Sequence, residues 1–407
     1  MKYVSGPYIN YELKKDIVSI EDALTDRYKR FGAITDATEQ KDWNKRVNEA
    51  SLGRNVVFFD ASGNPSVLVK VESMPMNLLQ SGWENKSHYA FIVNNVVKDR
   101  FYMGKYQGVN IGSGAESRVV CLRGLDPGNS DWSLQITFDD SLTACIQSGL
   151  CLATNAMYAF IALRCLARGF MPRGNNNYGK DVSVPSETAV PSFIYSNQVA
   201  RCATGTGPDS WADDGTPFGI FDINGNVWEW AAGLRLLDGE IQIIPDNNAA
   251  LSTTDMSVSS TAWQAIMPDG TLVAPGTTGT LKYDSLVPMT NDGSTQDKGA
   301  FTLRTTLQNA PDPEWNWGNS SYDYNSMLFE QITAEVSVPN ILKQLRLFPT
   351  SSNHGGDNWW IRNYGERLPL VGAHWSYGSR AGVFAVYLNF HRSSLSFGNG
   401  FRPALVV

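Results

Sequence analysis

The stretch that decides the reading is RNYGERLPLVGAHWSYGSRAGVFAVYLNFHRSSLSFGNGFRPALVV, Arg362 to Val407. Two kinds of residue alternate in it. A frame of glycine, small apolar and strand-forming residues runs through Gly372, Trp375, Gly378, Ala381 to Phe384, Leu388 and Gly400 to Pro403. Set into that frame are His374, Ser376, Tyr377, Arg380, Tyr387, Asn389, Phe390, His391, Leu395 and Phe397. In a strand over Val383–Asn389 side chains alternate, so Phe384, Val386 and Leu388 share the core face. Val383, Ala385, Tyr387 and Asn389 then share the other face, with Tyr387 exposed. Strict counting puts Phe390 inside with Leu388, unless the strand bends there. The segment is either an ordinary last strand with an aromatic-rich loop, or a display surface.

Upstream, Phe218-Gly-Ile-Phe-Asp-Ile-Asn-Gly-Asn-Val-Trp-Glu-Trp230 brackets a carboxylate between two tryptophans ahead of a strand pair. Leu234–Ile244 carries Asp238-Gly239 between alternating apolar residues, a hairpin signal. Pro268-Asp-Gly270 marks a second turn. Residues 246–320 are rich in Thr, Ser, Asn, Asp and Gly and read as a loop-rich insert with short strands. Tyr324–Ala334 and Pro339–Leu345 read as helical.

Near the start, Ser19 and Asp36 stand as helix N-caps before Ala23–Arg30 and Gln40–Ala50. Residues 1–54 therefore form a small helical extension, either a capping subdomain or an arm for docking and oligomerisation. Strands follow at Asn55–Asp60 and Ser66–Val71 across Gly63-Asn-Pro65, then at Ala90–Val97 and Arg100–Tyr106. Ser141–Gly149 and Thr154–Arg168 read as helices, the second with Met157, Phe160, Ile161 and Cys165 at helical spacing. Met171–Gly179 is a loop of turn formers.

The chain has 407 residues, enough for a substantial core, with only 18% charged residues and a net charge of −7. That balance disfavours nucleic acid and anionic membranes as partners, and no segment is apolar for long enough to insert into a bilayer. The first ten residues carry no apolar signal-peptide core, so export by the general secretory route is not expected. The five cysteines lack metal-site or redox-pair spacing and read as buried free thiols.

The C-terminal frame resembles the variable region, here about residues 358–403, of diversity-generating retroelement target proteins. The Gly219–Trp230 motif is similar to the G-x-x-D-x-x-G-N-V-W-E-W signature of formylglycine-generating-enzyme-like domains. Phe101-Tyr-Met-Gly-Lys-Tyr-Gln-Gly-Val-Asn110 echoes an early strand of the same family. Both resemblances imply a C-type-lectin-type α+β fold over residues 55–407, loop-rich, with short antiparallel strands. In the retroelement family, template adenines, mostly in AAC codons, are randomised, which excludes Trp, Met, Lys, Gln and Glu. Each inset residue falls within the permitted set, and between His374 and Gly400 the only excluded type is Trp375, a frame residue.

The resemblance implies a non-catalytic, hypervariable receptor-binding protein of a phage or prophage tail, located in the virion. Its partners would be a host cell-surface protein or glycan and the tail proteins. A bacterial surface-displayed binding protein is the alternative. Assembly as a homo-oligomer, a trimer, through the N-terminal arm is also implied, since several copies raise avidity. A metal-dependent oxidase of the formylglycine-generating type is the reading from another class. It requires a C-terminal cysteine pair to bind copper, and no cysteine follows Cys202. The three-histidine iron site of the ergothioneine-pathway relatives has no counterpart in the spacing of His88, His354, His374 and His391. No cofactor is required by this reading. The formylglycine-generating family implies one structural calcium, held by the Asp222 and Glu229 carboxylates with the carbonyls of Gly225 and Val227. The other reading of these residues is that Asp222 and Glu229 cap turns in a tryptophan-rich core.

Overall fold

A computed structural model describes residues 7–129, 135–290, 295–311 and 323–407, with 7–14 and 129 described by backbone alone. The architecture is α+β: a few helices set against many short strands. The parts of the loop-rich insert at 291–294 and 312–320 lie outside the described residues.

The chain closes on itself in a five-stranded sheet. Asn55–Phe59 pairs antiparallel with Pro65–Glu72, and the latter with Arg100–Gly104. The C-terminal strand Pro403–Val406 lies between Arg100–Gly104 and Cys151–Leu152. The last residues of the chain thus occupy the middle of a sheet begun near residue 55. The turn at Gly63-Asn-Pro65 is tight because Asp60 Oδ1 accepts from the Ser62 and Asn64 amides, both at 2.8 Å. Gly63 has φ +88, and a Cβ there would clash with the Ile34 carbonyl, so glycine is required.

A six-stranded sheet carries the two landmark motifs together. Its order is Asn325–Leu328, Asn358–Ile361, Gly382–Leu388, Leu370–Gly372, Trp228–Trp230, Asn399–Phe401. The insert contributes four of the eight strands of a third sheet, in which Gln264–Ile266, Lys282–Ser285 and Phe301–Arg304 extend the hairpin Leu234–Leu237/Glu240–Ile243. Asp238 (φ +48) and Gly239 (φ +73) turn that hairpin as expected. Trp263, Leu281, Tyr283, Phe301 and Leu303 are fully buried, so the polar-looking insert has an apolar face of its own.

Among the described residues five α-helices flank the sheets: α1 (Pro7–Phe31), α2 (Ala37–Ala50), α3 (Phe138–Gln147), α4 (Asn155–Arg168) and α5 (Asn340–Gln344). Asp36 caps α2 by accepting from the Glu39 amide, and Thr154 caps α4 through the Met157 amide. Helix α4 is buried on nearly every side and forms the spine of the main core. From Ile17 onward the helical extension shares a core with the sheet, through Ile17, Leu24, Trp43 and Val47 against Val57, Val67 and Trp211. A fully buried ion pair joins Glu21 of α1 to Lys105 at 2.8 Å, and Tyr106 Oη donates to Glu21 Oε2 at 2.5 Å.

Three local expectations are corrected. Ser19 lies inside α1 and caps nothing, because the helix is continuous from Pro7. Ala90–Val97 is a miniature hairpin, Ile92–Val93 with Val96–Val97, because Asn94 and Asn95 both adopt positive φ between them. Tyr324–Ala334 is two short strands around a single 3-10 turn at Phe329–Gln331: Asn325–Leu328 pairs with Asn358–Ile361, and Thr333–Ala334 with Phe301–Arg304. An apolar run there fits either period, and the free edges of two sheets select the strand. The five cysteines are all buried and unpaired, as the spacing led us to expect.

Candidate ligand-binding face

Strand Gly382–Leu388 lies between Asn358–Ile361, to which it is parallel, and Leu370–Gly372, to which it is antiparallel. Both of its faces are covered. Val383, Phe384, Val386 and Leu388 enter the main core, and Ala385 enters a second cluster containing Trp228 and Trp360. The strict alternation fails at Val383 because the pairing slips between Val371 and Gly372, which bulges the strand. Asp357 Oδ2 accepts from the Phe384 amide at 2.7 Å, and a Cβ on Gly382 would collide with the same carboxylate.

Above this strand the expected display residues collect on a tryptophan floor. Trp228 and Trp360 meet edge-on at 5.8 Å, and each is 3% exposed. Tyr377 lies 5.1 Å from both, and Tyr387 5.5 and 5.7 Å from them, all between ring centroids. Phe390 continues the row, 5.1 Å from Tyr387, so the backbone does bend outward after Leu388. His374 stacks on Trp375 at 4.4 Å and meets Tyr377 at 4.6 Å. The exposed Arg380 guanidinium sits over the Tyr377 and Trp360 rings at 5.6 and 5.8 Å. These spacings are those of packed aromatic pairs, so the half-buried rings have fixed orientations.

The remaining expected residues fall in three places. Ser376 and His391 are half-buried at the rim. The His374 Nδ1 accepts from the Ser376 amide at 3.3 Å, and His391 Nδ1 pairs with Ser393 Oγ at 2.8 Å. Leu395 is exposed, and Phe397 is half-buried, 6.0 Å from Tyr195. Asn389 is a correction: it is 1% exposed and turned inward, while its carbonyl accepts from Arg367 at 3.2 Å. It is unavailable for contact.

Burial shapes the titration of the face. It pushes the Tyr377 phenol well above its usual range and the His374 imidazole down to about 3. Burial also lowers His391, with help from Arg367 and Arg362. The face is therefore presented with neutral imidazoles and neutral Tyr377 at neutral pH.

Two contributors were invisible in the sequence. Trp360, inside the 358–403 region but not among the inset residues, becomes half of the floor. The hairpin Pro191–Tyr195/Gln198–Cys202 brings the exposed Tyr195 beside Phe397. It is tied to that loop by Arg201, which donates to the Phe397 carbonyl at 3.3 Å and is paired with Asp126. No local signal links residues near 195 to residues near 397.

Three of the four groups named for calcium converge, the Gly225 and Val227 carbonyls and the Glu229 carboxylate, joined by the Asp222 carbonyl in place of its carboxylate, and the arrangement does not fit the ion. The Asp222 carboxylate turns away and accepts from the Gly205 amide at 2.7 Å. Both Glu229 oxygens are engaged by Arg402, and Oε2 also accepts from Tyr158. The point between the carbonyls holds the side-chain nitrogen of Gln107. Among the described residues no group of three or more His, Cys, Asp or Glu is placed to hold a metal, and no helix is long and apolar enough to cross a membrane.

No protein-family profile and no curated protein matches the chain. Solved structures similar to it include the following two. The Major Tropism Determinant P3c variant is 10% identical over 84% of this chain and 63% of its own, with a TM-score of 0.28. The Treponema denticola variable protein 1 is 10% identical over 86% of this chain and 98% of its own, with a TM-score of 0.29. The chain thus spans less than two thirds of the tropism determinant it matches.

Proposed function

We propose that this chain is a non-catalytic, hypervariable ligand-binding protein with a C-type-lectin-type fold, diversified by a retroelement. In this reading it acts at a phage or prophage tail tip, where its aromatic face meets a host cell-surface protein or glycan. One observation carries the reading. Tyr377, Arg380, Tyr387 and Phe390, separated along the chain and of types allowed by adenine randomisation, gather on one face over buried Trp228 and Trp360. Tyrosine and arginine give large contact area with polar tips at a low entropy cost. The frame beneath is glycine and tryptophan, so change at the face leaves the backbone in place. Gly372 is an example: its φ is +86, and a Cβ there would lie 2.8 Å from the Ile223 carbonyl oxygen, a backbone atom outside the varied positions.

Sequencing the DNA around the coding region tests the reading. A reverse transcriptase gene and a near-copy of the segment for residues 358–403, differing only at adenines, are expected. A flanking region without either would remove the diversification mechanism. Binding of the purified protein to intact cells of the host bacterium should be lost when Tyr377, Arg380 and Phe390 are all replaced by Ala.

A further inference from the structure

Gln107 is completely buried just beyond strand Arg100–Gly104, and four oxygens surround its side-chain nitrogen. Nε2 lies 3.0 Å from the Asp222 carbonyl, 3.3 Å from that of Gly225, 3.1 Å from that of Val227 and 3.0 Å from Glu229 Oε1. The amide cannot be flipped, because Gln107 Oε1 accepts from Asn226 Nδ2 at 2.9 Å. Asn226 is itself fixed, donating to the Cys202 carbonyl at 3.0 Å and accepting from the Cys202 amide at 2.8 Å. A primary amide has two N–H groups, so four acceptors exceed what it can satisfy with straight hydrogen bonds. Convergent carbonyls plus one carboxylate oxygen are the surroundings of a cation.

The charge that a cation would bring comes from Arg402. Its Nη2 reaches the same Glu229 Oε1 at 2.7 Å and the Phe221 carbonyl at 2.9 Å, while Nε reaches Glu229 Oε2 at 2.8 Å. A calcium ion takes about six to eight oxygens at roughly 2.3–2.6 Å. Four are present, one of them shared with a guanidinium that would repel the ion.

We infer that Gln107 and Arg402 together replace the ion that the Asp222–Glu229 loop would otherwise require. Gln107 supplies the donor at the centre and Arg402 the positive charge, so the loop closes without metal. Gln107 is thereby a positioning residue for the ligand-binding face. The Val227 carbonyl and the Glu229 carboxylate it holds flank Trp228, half of the tryptophan floor. The inference concerns the scaffold and stands whether or not the face is diversified.

The test is thermal unfolding of the full chain in excess EDTA and in excess CaCl2, with calcium content measured by elemental analysis after gel filtration. The wild-type Tm is expected to be the same in both, with no calcium retained. Gln107→Met, close in volume but without a donor, should lower Tm by several degrees equally in both conditions and weaken the near-UV tryptophan signal. A folding failure of that variant leaves the wild-type measurement decisive. A wild-type Tm that rises with calcium, stoichiometric calcium in the wild type, or a Gln107→Met protein as stable as wild type would each overturn the inference.

Discussion

Glu229 and Arg402, 173 residues apart in the chain, form a two-pronged ion pair with no access to solvent, at 2.7 and 2.8 Å. The pair joins the G-N-V-W-E-W signature to the C-terminal G-F-R, so two motifs that read separately are halves of one contact. Burial opposes the Arg402 charge, and Glu229 beside it outweighs that cost, so its pKa lies above the ordinary guanidinium range. Removing one partner leaves a bare buried charge. Arg402→Met should cost about 3–5 kcal/mol in urea unfolding, and adding Glu229→Met should recover part of the loss. A double variant less stable than the single one would show that the charges are not each other's main partners.

The display positions should separate by burial. Arg380→Ala and Leu395→Ala, both at exposed side chains, should change stability by no more than about 0.5 kcal/mol. Tyr377→Ala and Tyr387→Ala remove rings packed on Trp228 and Trp360 and should each cost about 1–2 kcal/mol. Trp360→Ala should cost about 3–5 kcal/mol. Chemical denaturation of the five variants checks the order.

Acid should act through buried histidines. His88 is fully buried between the Gln344 carbonyl at 2.7 Å and the Ala90 amide at 3.2 Å, and burial lowers its pKa from 6.5 to about 4. A histidine held neutral in the fold stabilises fully above its unfolded pKa. That contribution fades as pH falls from about 6.5 toward 4, because the unfolded chain takes up the proton first. His88→Gln should therefore reduce the loss of stability over that window by about 1.4 kcal/mol per pH unit relative to wild type. Urea unfolding at several pH values measures the difference.

Assembly should depend on the outer part of α1. Ile17 is the first buried residue among the described side chains, so a deletion of residues 1–14 keeps Ile17, Leu24 and Trp43, whereas removing 1–50 would take them out of the core. We expect the full chain to form a trimer by light scattering and the chain lacking residues 1–14 to be a monomer with unchanged Tm. A full-length monomer, or a trimer that survives the deletion, would end the proposed role of this segment.

Thiol chemistry should be silent until the fold opens. All five cysteines are buried, and burial raises Cys121, Cys151 and Cys202 to about 12, with Cys145 and Cys165 also raised. A thiol reagent should titrate none of the five in native protein and all of them in denaturant. Rapid native labelling of any cysteine would contradict the packing described for it.

Local physics determined much of this protein from its sequence. Asp238-Gly239 turns its hairpin because both residues tolerate positive φ, and Asp36 and Thr154 start helices because their oxygens reach free amides. The inset polar and aromatic residues after Gly372 mark the candidate face in the sequence itself. What the sequence could not determine was every relation between distant segments. Phe397 meets Tyr195, Trp360 meets Trp228, Gln107 sits among the oxygens of residues 222–229, and Asn389 turns inward at a slipped pairing. Chain closure decides these. Strand Pro403–Val406 inserts between strands formed some 250 to 300 residues earlier, and only that long-range pairing brings the motifs within reach of one another.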